Sequence, residues 1–481
     1  MDILARETYA RIIFVGSLAV RLLLEEQIVM KKPLMKRLLA KTLNLLILVI
    51  GIAGLESGIA QAAHDDKITY SKDIANIIFE KCASCHNPDG IGPMSLLNYE
   101  EVRPWAPLIS YKVQMGEMPP WHLDKTIGIQ AYKNDISLSA QQIADIVSWA
   151  EMGAPQGDPD LMPSVPELPN GSIWQLSTLL GEPDFVVQSP PYTVAANAQD
   201  QWWVRDTPFE GLIDQPRYVR ATELKGSYPQ GVKVLHHGHA TLRSVDQHGN
   251  RASGPVGRQG VGKGGDVFSE GTGMLIYPTG SIRWNLHYFP INQEVANEQA
   301  EAAVWLYPKG YKPEFRTRGE QFFAADTGPG GLWAGDIVLP PNSIKSHQGV
   351  RVLDRPALIT SFRPHMHMRG KAQSLVAVYP DGRREMLARV DKYNHAWQIA
   401  YEFEDDVAPL LPKGTMLMLT STWDNTADNP NNPDHRQWVV FGQRGVDEMS
   451  HTWLGITYLT DDQFQRLSAE RRGRLTAQTE H

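Results

Sequence analysis

Residues 357–368 read Ala-Leu-Ile-Thr-Ser-Phe-Arg-Pro-His-Met-His-Met, and this stretch decides the predicted fold. Residues 357–362 are mostly apolar or β-branched, a composition typical of a β-strand. Because successive side chains of a strand point to opposite faces, His365 and His367 are expected to share one face. The stretch therefore predicts a strand that carries two histidines side by side.

Short runs of similar composition lie on both sides of this stretch, separated by turn-forming residues. They cover residues 232–235, 274–277, 282–288 and 416–422. Many short strands between turns are typical of antiparallel β-sandwiches. We predict two such jelly-roll-like domains, residues 172–340 and 341–462, divided by a break rich in glycine and proline at residues 328–341. The glycine-rich stretch 254–273 is predicted to be a loop.

Residues 64–153 lack this pattern and are predicted to form an all-α domain. Residues 70–74 are expected to open one helix. Residues 137–149 should form another, with Ser139 as its cap and apolar residues at helical spacing. The proline-rich segment 154–171 shows no periodicity and is predicted to be a linker.

The composition limits the classes of function. The 481 residues include 54 acidic and 46 basic side chains, a net charge of −8, whereas nucleic-acid binding requires a basic surface. Hydrophobic residues at 42% and charged residues at 21% exclude wholesale disorder. With two cysteines, a disulfide framework and a four-cysteine zinc site are excluded. The charged end, residues 463–481, is predicted to be a surface helix or a frayed tail.

The amino-terminal part is predicted to be an export signal. Residues 31–37 are basic, residues 43–55 are apolar, and Ala60-Gln61-Ala62 supplies the small residues of a cleavage site. The apolar run is shorter than the ~20 residues that a spanning helix needs. We predict a signal peptide over residues 1–63, in which residues 1–29 are interpreted as an over-extended start, and a periplasmic or secreted mature chain. The alternative is an uncleaved membrane anchor.

The pentapeptide Cys82-Ala83-Ser84-Cys85-His86 is a C-x-x-C-H motif that contains both cysteines of the chain. Its spacing lets two thiols form thioethers with haem vinyl groups while His86 ligates the iron. A redox C-x-x-C pair is the alternative, but it requires a thioredoxin-like βαβ context that this segment lacks. Residues 64–153, with Gly92-Pro93 after the motif, resemble a class I cytochrome c. The resemblance implies a covalent haem c.

The sixth iron ligand is expected in the segment Met115-Gly116-Glu117-Met118-Pro119-Pro120-Trp121. Met118 is the predicted ligand, because the two prolines after it stiffen the loop and because related cytochrome domains share this methionine-proline-proline-tryptophan run. Met94 and Met115 are expected to pack, and His122 is the alternative ligand. A methionine opposite the histidine raises the reduction potential, which suits electron transfer.

Four groups of candidate metal ligands follow in the β region. They are His236-His237, His287 in Leu286-His287-Tyr288, the pair His365 and His367, and Met449 in Asp447-Glu448-Met449. A single histidine is more often a surface or core residue, but this ordered set is much more specific. It resembles the copper type II, ascorbate-dependent monooxygenases, the family of the peptidylglycine and dopamine β-hydroxylases, over about residues 175–460.

The resemblance implies two copper ions, one in each β domain. Their ligands would be His236, His237 and His287 for the first, and His365, His367 and Met449 for the second. Imidazole suits both oxidation states of copper, and a thioether favours Cu(I). In the family, the first copper stores an electron and the second activates oxygen. His239 is a spare candidate beside the histidine pair.

The chain departs from the family in two ways, one that concerns how the fold is stabilised and one that concerns the substrate. The animal members are stapled by disulfides, for which this chain has no cysteines left. Where the peptide enzyme has asparagine and tyrosine, this chain has His451 and Trp453. A glycine-extended peptide substrate is therefore not expected. Arg363 matches an arginine that both enzymes carry, so it predicts no substrate.

The sequence thus predicts an exported copper monooxygenase that hydroxylates a C–H bond of a small molecule with O2, with His365, His367 and Met449 as catalytic residues. Electrons would come from a periplasmic donor, an ascorbate-like reductant or a redox protein, and pass through the tethered haem at high effective concentration. The alternative is an electron-transfer or copper-binding protein without hydroxylase activity. Nucleic acid is not an expected partner, and a membrane is one only if the signal peptide stays uncleaved.

Overall fold

The structure of the chain is a computed structural model. It describes residues 67–133, 135–168, 171–197, 201–259, 265–323, 337–397, 399–442 and 444–479. The predicted signal peptide lies outside these residues. The chain divides into two units after Lys67, and the described helices and strands all lie in the unit that begins at Ile68. None of the helices in the described ranges is long and apolar enough to cross a membrane.

Most helices lie in the first part of this unit. The α-helices are α1 Ala75–Lys81, α2 Tyr99–Val102, α3 Ala106–Gln114, α4 Ala140–Glu151, α5 Ser177–Leu180, α6 Gly231–Val234 and α7 Asp461–Thr479. A π-helical turn, Tyr70–Ile74, precedes α1, and 3₁₀ turns cover Arg103–Trp105 and Pro159–Leu161. The charged end of the chain therefore forms a helix, one of its two predicted states.

Strands make up most of the remainder. They are β1 Phe185–Gln188, β2 Tyr192–Val194, β3 Gln201–Glu210, β4 Arg217–Lys225, β5 Leu235–Val245, β6 Arg251–Gln259, β7 Asp266–Val267, β8 Thr272–Ile276, β9 Thr279–Tyr288, β10 Val295–Glu298, β11 Glu301–Leu306, β12 Phe315–Phe323, β13 Val338–Leu339, β14 Ile344–Val352, β15 Ala357–Met366, β16 Gly370–Val378, β17 Arg384–Val390, β18 Tyr401–Glu402, β19 Leu410–Leu411, β20 Met416–Asp424, β21 Val439–Val440 and β22 Ser450–Tyr458.

The helix predicted over residues 137–149 is confirmed as α4. The Gln142 amide donates to the Ser139 hydroxyl at 3.1 Å, and the Ser139 amide donates to the Gln142 side chain at 2.8 Å. This reciprocal capping box satisfies two amides that have no partner within the helix. Trp149 of α4 is fully buried and shares a core with Ile78 of α1 and the π-turn before it.

The antiparallel β-sheet predicted for most of the chain is confirmed. A ten-stranded sheet runs in the order β1-β11-β4-β8-β12-β22-β15-β18, with β7 beside β4 and β19 beside β15. Two four-stranded sheets have the orders β3-β9-β5-β6 and β14-β20-β16-β17, and β10-β2 and β13-β21 form two-stranded pairs.

Each four-stranded sheet shares a hydrophobic core with one half of the ten-stranded sheet. The first core joins Leu242 and Trp284 of the small sheet to Val304 of the large one. The second joins Leu419 to Phe362 in the same way. All five side chains are buried, and removal of their apolar surface from water is the main driving force for this packing.

Strand β12 connects the two halves of the large sheet. Phe315 pairs in parallel with Thr272 of β8, and residues 317–323 pair antiparallel with β22. Strand β12, which lies before the predicted domain boundary at residue 340, thus pairs with a strand of the second β region. The two β regions are joined by backbone hydrogen bonds as well as by chain connectivity.

The strand predicted over residues 232–235 is wrong. The amide of Val232 donates to the Ser227 carbonyl at 3.2 Å and that of Lys233 to Gln230 at 3.0 Å, so residues 231–234 form the helical turn α6. Local turn bonding here outweighs the β-propensity of the valines. As a result, the two histidines at 236 and 237 lie at the beginning of a strand rather than at its end.

The loop predicted over residues 254–273 is also wrong where the structure describes it, since this stretch contributes to β6, forms β7 and begins β8, while residues 260–264 lie outside the described part. Its glycines permit close packing of strands. A Cβ atom added to Gly254 would overlap the Met274 sulfur, and one added to Gly257 would lie 2.6 Å from the Leu224 Cβ. Glycine in a strand often marks such close approach rather than flexibility.

We predict that Gly257→Ala lowers the free energy of unfolding by about 3 kcal/mol. The backbone φ of +135° is unfavourable for a residue with a Cβ, which costs about 1–2 kcal/mol, and the contact with Leu224 adds overpacking of about 1–3 kcal/mol. Gly382→Ala is the control, because its φ is +86° but no atom lies within 4 Å of the added Cβ. Equal losses in urea unfolding would contradict the packing argument.

Candidate functional site

The C-x-x-C-H motif lies in a turn at the end of α1. The amide of Cys82 donates to the Ile78 carbonyl, and that of His86 to the Cys82 carbonyl, both at 2.9 Å. Both cysteines are free thiols, and burial raises the pKa of Cys82 to about 12 and also raises the pKa of Cys85. A redox-active C-x-x-C pair needs a lowered thiol pKa, so this environment does not favour the alternative interpretation.

The His86 ring is oriented by the chain that follows it. Its Nδ1–H donates to the Met94 carbonyl at 3.2 Å, which leaves the Nε2 lone pair available to a metal ion. Burial lowers the pKa of His86, so the ring is neutral near pH 7. A Cβ at Gly92 would lie 2.6 Å from the His86 Nδ1, so this position next to Pro93 requires glycine. These contacts fit a proximal haem ligand.

The two candidate methionines after α3 differ in environment. Met118 is partly buried, and its amide donates to the Lys112 carbonyl at 3.3 Å. Met115 is 51% exposed, so the expectation that it packs is wrong: it ends α3 on the solvent side. Met94 packs against the helical core, as expected.

The segment after this loop packs onto the second β region. The Trp121 ring meets the Tyr401 ring edge-on with centroids 4.9 Å apart, and the His122 amide donates to the Tyr401 hydroxyl at 3.3 Å. Burial lowers the pKa of His122 to about 4. Backbone hydrogen bonds continue the contact, from Asp124 to Arg389, Ile129 to Leu387 and Lys133 to Glu402. The chain that carries Met118 is therefore fixed directly to this region.

The first histidine set lies on β5 and β9. His237 and His287 are register partners, both are buried, and their Nδ1 atoms are 3.1 Å apart. The register shifts between Leu235 and His237, so the backbone at His236 forms a β-bulge. A bulge breaks the alternation that sends adjacent side chains to opposite faces. The side chain of His236 lies outside the described part.

The second set lies at the end of β15, where His365 belongs to the strand and His367 follows it. Their ring centroids are 5.3 Å apart with planes at 87°. Burial lowers the pKa of both rings, so both are neutral near pH 7. The His367 Nδ1–H donates to the Asp447 carbonyl at 3.2 Å, which leaves its Nε2 lone pair for a metal ion.

Glu448 connects the two segments of this second set. Its fully buried carboxylate accepts the amide N–H groups of His367 at 3.1 Å, Arg369 at 2.7 Å and Met449 at 3.3 Å. Burial raises the pKa of Glu448 to about 7, although the amides favour its charged form. Arg369 donates in turn to the Asn425 side chain at 2.9 Å. The carboxylate thereby fixes the backbone at both His367 and Met449.

His451 is a neighbour of this site that sequence reasoning did not assign to it. It lies on β22 directly opposite His365, with ring centroids 4.5 Å apart. Burial lowers the pKa of His451 to about 3. The histidine at position 451 was noted in the sequence only as a difference from the peptide enzyme. Its place beside His365 depends on the pairing of β22 with β15, two strands that lie far apart in the chain.

The two histidine sets are connected by packed side chains. Arg363, which is 1% exposed, donates to the His239 Nδ1 at 3.4 Å. The His239 ring lies 5.6 Å from the Trp453 ring, and Trp453 lies 5.6 Å from His451. His239, the spare candidate of the first set, thus contacts residues of the second β region.

The donor chemistry of both sets fits copper, which binds neutral imidazole and thioether ligands. Two nitrogens held about 2.0 Å from one ion at right angles or slightly more lie about 3 Å apart, which is the spacing of the Nδ1 atoms of His237 and His287. Within the described ranges, no three His, Cys, Asp or Glu side chains already surround a single metal position. The histidines meet in pairs, His237 with His287 and His365 with His367. The backbone of Met449, the proposed sulfur ligand of the second set, is joined to that of His367 through Glu448.

Comparisons with known proteins do not show a family for this chain. No protein family and no curated protein matches the chain. Among solved structures, the PBSX exported protein XepA is 11% identical, with 49% of this chain and 86% of that chain covered, at a TM-score of 0.15. The VP2 subviral particle of infectious bursal disease virus is 12% identical, with 59% and 74% covered, at a TM-score of 0.16. TM-scores this low give no basis for relating the folds of these proteins to that of this chain.

We predict that Glu448→Ala lowers the free energy of unfolding by about 4 kcal/mol, since each buried amide that loses its acceptor costs about 1–3 kcal/mol. Glu448→Gln keeps one acceptor oxygen and should cost less than half as much. Glu301→Ala is the control, because the Glu301 carboxylate is partly exposed and accepts a hydrogen bond from the exposed side chain of Gln188. This variant should change the free energy of unfolding by under about 1 kcal/mol. Equal unfolding free energies for the Ala and Gln variants at 448 would contradict the role of its oxygens.

Proposed function

We propose that this chain is an exported, copper-dependent monooxygenase that hydroxylates a C–H bond of a small molecule with O2. Its electrons would pass through a c-type haem on the helical region. The balanced reaction consumes the substrate, O2, two electrons and two protons, and yields the alcohol and water. The observation that carries the proposal is the pair of buried, neutral histidines His365 and His367 at the end of β15, the second of which is joined through the Glu448 carboxylate to the backbone of Met449.

The proposed domain organisation follows the sequence. A cytochrome c domain covers residues 64–153 and a linker covers residues 154–171. Two β-sandwich domains follow at residues 172–340 and 341–462. In support, each four-stranded sheet shares its own core with half of the large sheet, and the helical region has a third core.

A haem bound through Cys82 and Cys85 would supply one-electron transfer. In support of this assignment, the Met94 carbonyl holds the His86 ring with Nε2 available, and Gly92 leaves room for that ring. Met118 is the proposed sixth ligand. Its loop is anchored at one end by α3 and at the other by the contact of Trp121 with Tyr401.

Two copper ions would supply electron storage and activation of O2. His236, His237 and His287 are the proposed ligands of the first, and His365, His367 and Met449 those of the second. The chain's own part in this chemistry is to keep the imidazoles buried and neutral and to orient them. The bond from His367 to the Asp447 carbonyl fixes its tautomer, as outer hydrogen bonds of metal-bound histidines commonly do.

Contacts of the helical region support electron delivery within one molecule. Residues 121–133 bond to β17 and β18, which belong to the region of the second copper set. On the other side, the Tyr228 hydroxyl donates to Asp89, three residues after His86, at 3.0 Å. The helical region is therefore in contact with both β regions, a closer arrangement than a carrier on a flexible tether.

We predict that haem stays with the polypeptide after denaturation and acid extraction, because thioether bonds survive both treatments. Met118→Ala should lower the reduction potential and remove the weak sulfur-to-iron absorption band, since it removes a thioether ligand. Met115→Ala is the matched control, because Met115 is exposed, and should leave both unchanged. Haem that washes out of the wild-type chain would refute the assignment.

We predict that the wild-type chain binds two copper ions and consumes O2 when reduced in the presence of a panel of small molecules with activated C–H bonds. Met449→His should keep close to two coppers, since imidazole is also a ligand, but reduce product formation by at least about tenfold, because it replaces the thioether that favours Cu(I). His237→Ala should lower copper toward one ion per chain.

His347→Ala serves as the control for both variants, because His347 lies on β14 against Trp423 and should affect neither quantity. Full turnover by Met449→His would contradict the oxygen-site assignment. Two bound coppers without oxygen consumption by any reductant would instead support the electron-transfer alternative.

A further inference from the structure

His451 lies beside the second copper set, and the family resemblance gives it no role in metal binding. Its position opposite His365 is fixed by the antiparallel pairing of β22 with β15. We infer that His451 is a third imidazole ligand of the copper ion held by His365 and His367. The inference rests on the proposed function, since it concerns the same copper site.

The spacing of the three rings suits one shared ion. Imidazoles that bind a first-row metal ion through nitrogens at about 2.0 Å place their ring centroids roughly 4.5–5.3 Å apart for bond angles between about 90° and 110°. The centroid of His365 is 5.3 Å from that of His367 and 4.5 Å from that of His451. The His365 ring thus lies within this range of both partners. Because no three such side chains of the described residues already surround one metal position, the rings would reorient on binding the ion.

Hydrogen bonds of the residues on either side of His451 hold its side chain on one face of β22. The Ser450 hydroxyl bonds the Ser421 hydroxyl at 2.6 Å, and the Thr452 hydroxyl donates to the Arg363 carbonyl at 2.9 Å. Because neighbouring residues of a strand point to opposite faces, bonds on both flanking side chains hold His451 on the face of its register partner His365. His451 is 5% exposed, so it is not a surface histidine.

Ring packing is the competing explanation for a buried histidine. The His451 ring meets Trp453 edge-on at 5.6 Å and lies tilted by 31° over His365. Phenylalanine would make similar ring contacts and avoid the cost of burying polar nitrogens. Substitution by phenylalanine, which keeps the ring contacts but removes the nitrogens, separates the two explanations.

A third imidazole changes the chemistry expected of the site. Two imidazoles and a thioether favour Cu(I), whereas each added nitrogen donor favours Cu(II). The site would then hold the oxidised ion more tightly than the His-His-Met set of the family. Removal of the His451 nitrogen should weaken Cu(II) binding more than Cu(I) binding.

The test uses the full chain with copper as the probe and compares wild type, His451→Phe, His451→Met and the control His347→Phe. Pulsed electron paramagnetic resonance counts the imidazoles on Cu(II), and competition with chelators measures the affinity for each oxidation state. His451→Phe should lose one imidazole from the second site and lower Cu(II) affinity by at least about tenfold, the usual effect of perturbing a metal's surroundings. His451→Met should recover part of the affinity with an altered spectrum, and His347→Phe should match wild type.

The outcomes separate the inference from the function on which it rests. If His451→Phe keeps wild-type imidazole counts and affinities, His451 is a packing residue and the inference is wrong, while the copper site stands. If the wild-type chain binds no copper through His365 and His367, the proposed function itself fails. Copper retained at the first site of each variant serves as the check that the fold is intact, and His451→Met provides a second substitution if the phenylalanine variant does not fold.

Discussion

The buried carboxylate of Glu448 is the interaction on which the candidate site depends. A charge without exposure to water is costly unless hydrogen bonds compensate it. Here three amides do so, and they belong to two separate segments, the turn after β15 and the residue that precedes β22. The same bonds that offset the cost of burial therefore determine the distance between His367 and Met449. Rigid backbone support of this kind is what a metal site with few ligands requires.

The pairing of β15 with β22 extends this constraint across the molecule. It aligns His365 with His451 on one side, while β22 pairs with β12 on the other and so reaches β8 of the first region. The ten-stranded sheet thus carries structural continuity between the two regions that contain the histidine sets. Arg363 of β15 completes the link through its hydrogen bond to His239, which lies two residues from His237 on β5.

Local patterns in the sequence predicted much of this arrangement, and long-range pairing accounts for what they missed. Ser139 predicted a helix start, because capping depends on neighbouring residues alone. His365 and His367 were predicted to lie on one face of a strand, and their rings do lie close together, but His367 follows the end of β15. The bulge at His236 and the proximity of His451 to His365 depend on strand register, which one sequence does not reveal. The glycines at 254 and 257 wrongly suggested a loop for the same reason. They allow close approach of Met274 and Leu224, which lie on other strands.

The packing of the helical region changes how its proposed redox role is understood. A carrier on a flexible linker works through its effective concentration, which depends on linker length. In this structure Trp121 belongs to the core of the second β region. Its ring contacts the Tyr401 ring, which in turn stacks on Phe362 of β15. An electron leaving the Met118 loop would therefore have a short path through packed aromatic side chains to the strand that carries His365. Linker length would matter little, and the quality of this fixed interface would set the rate instead.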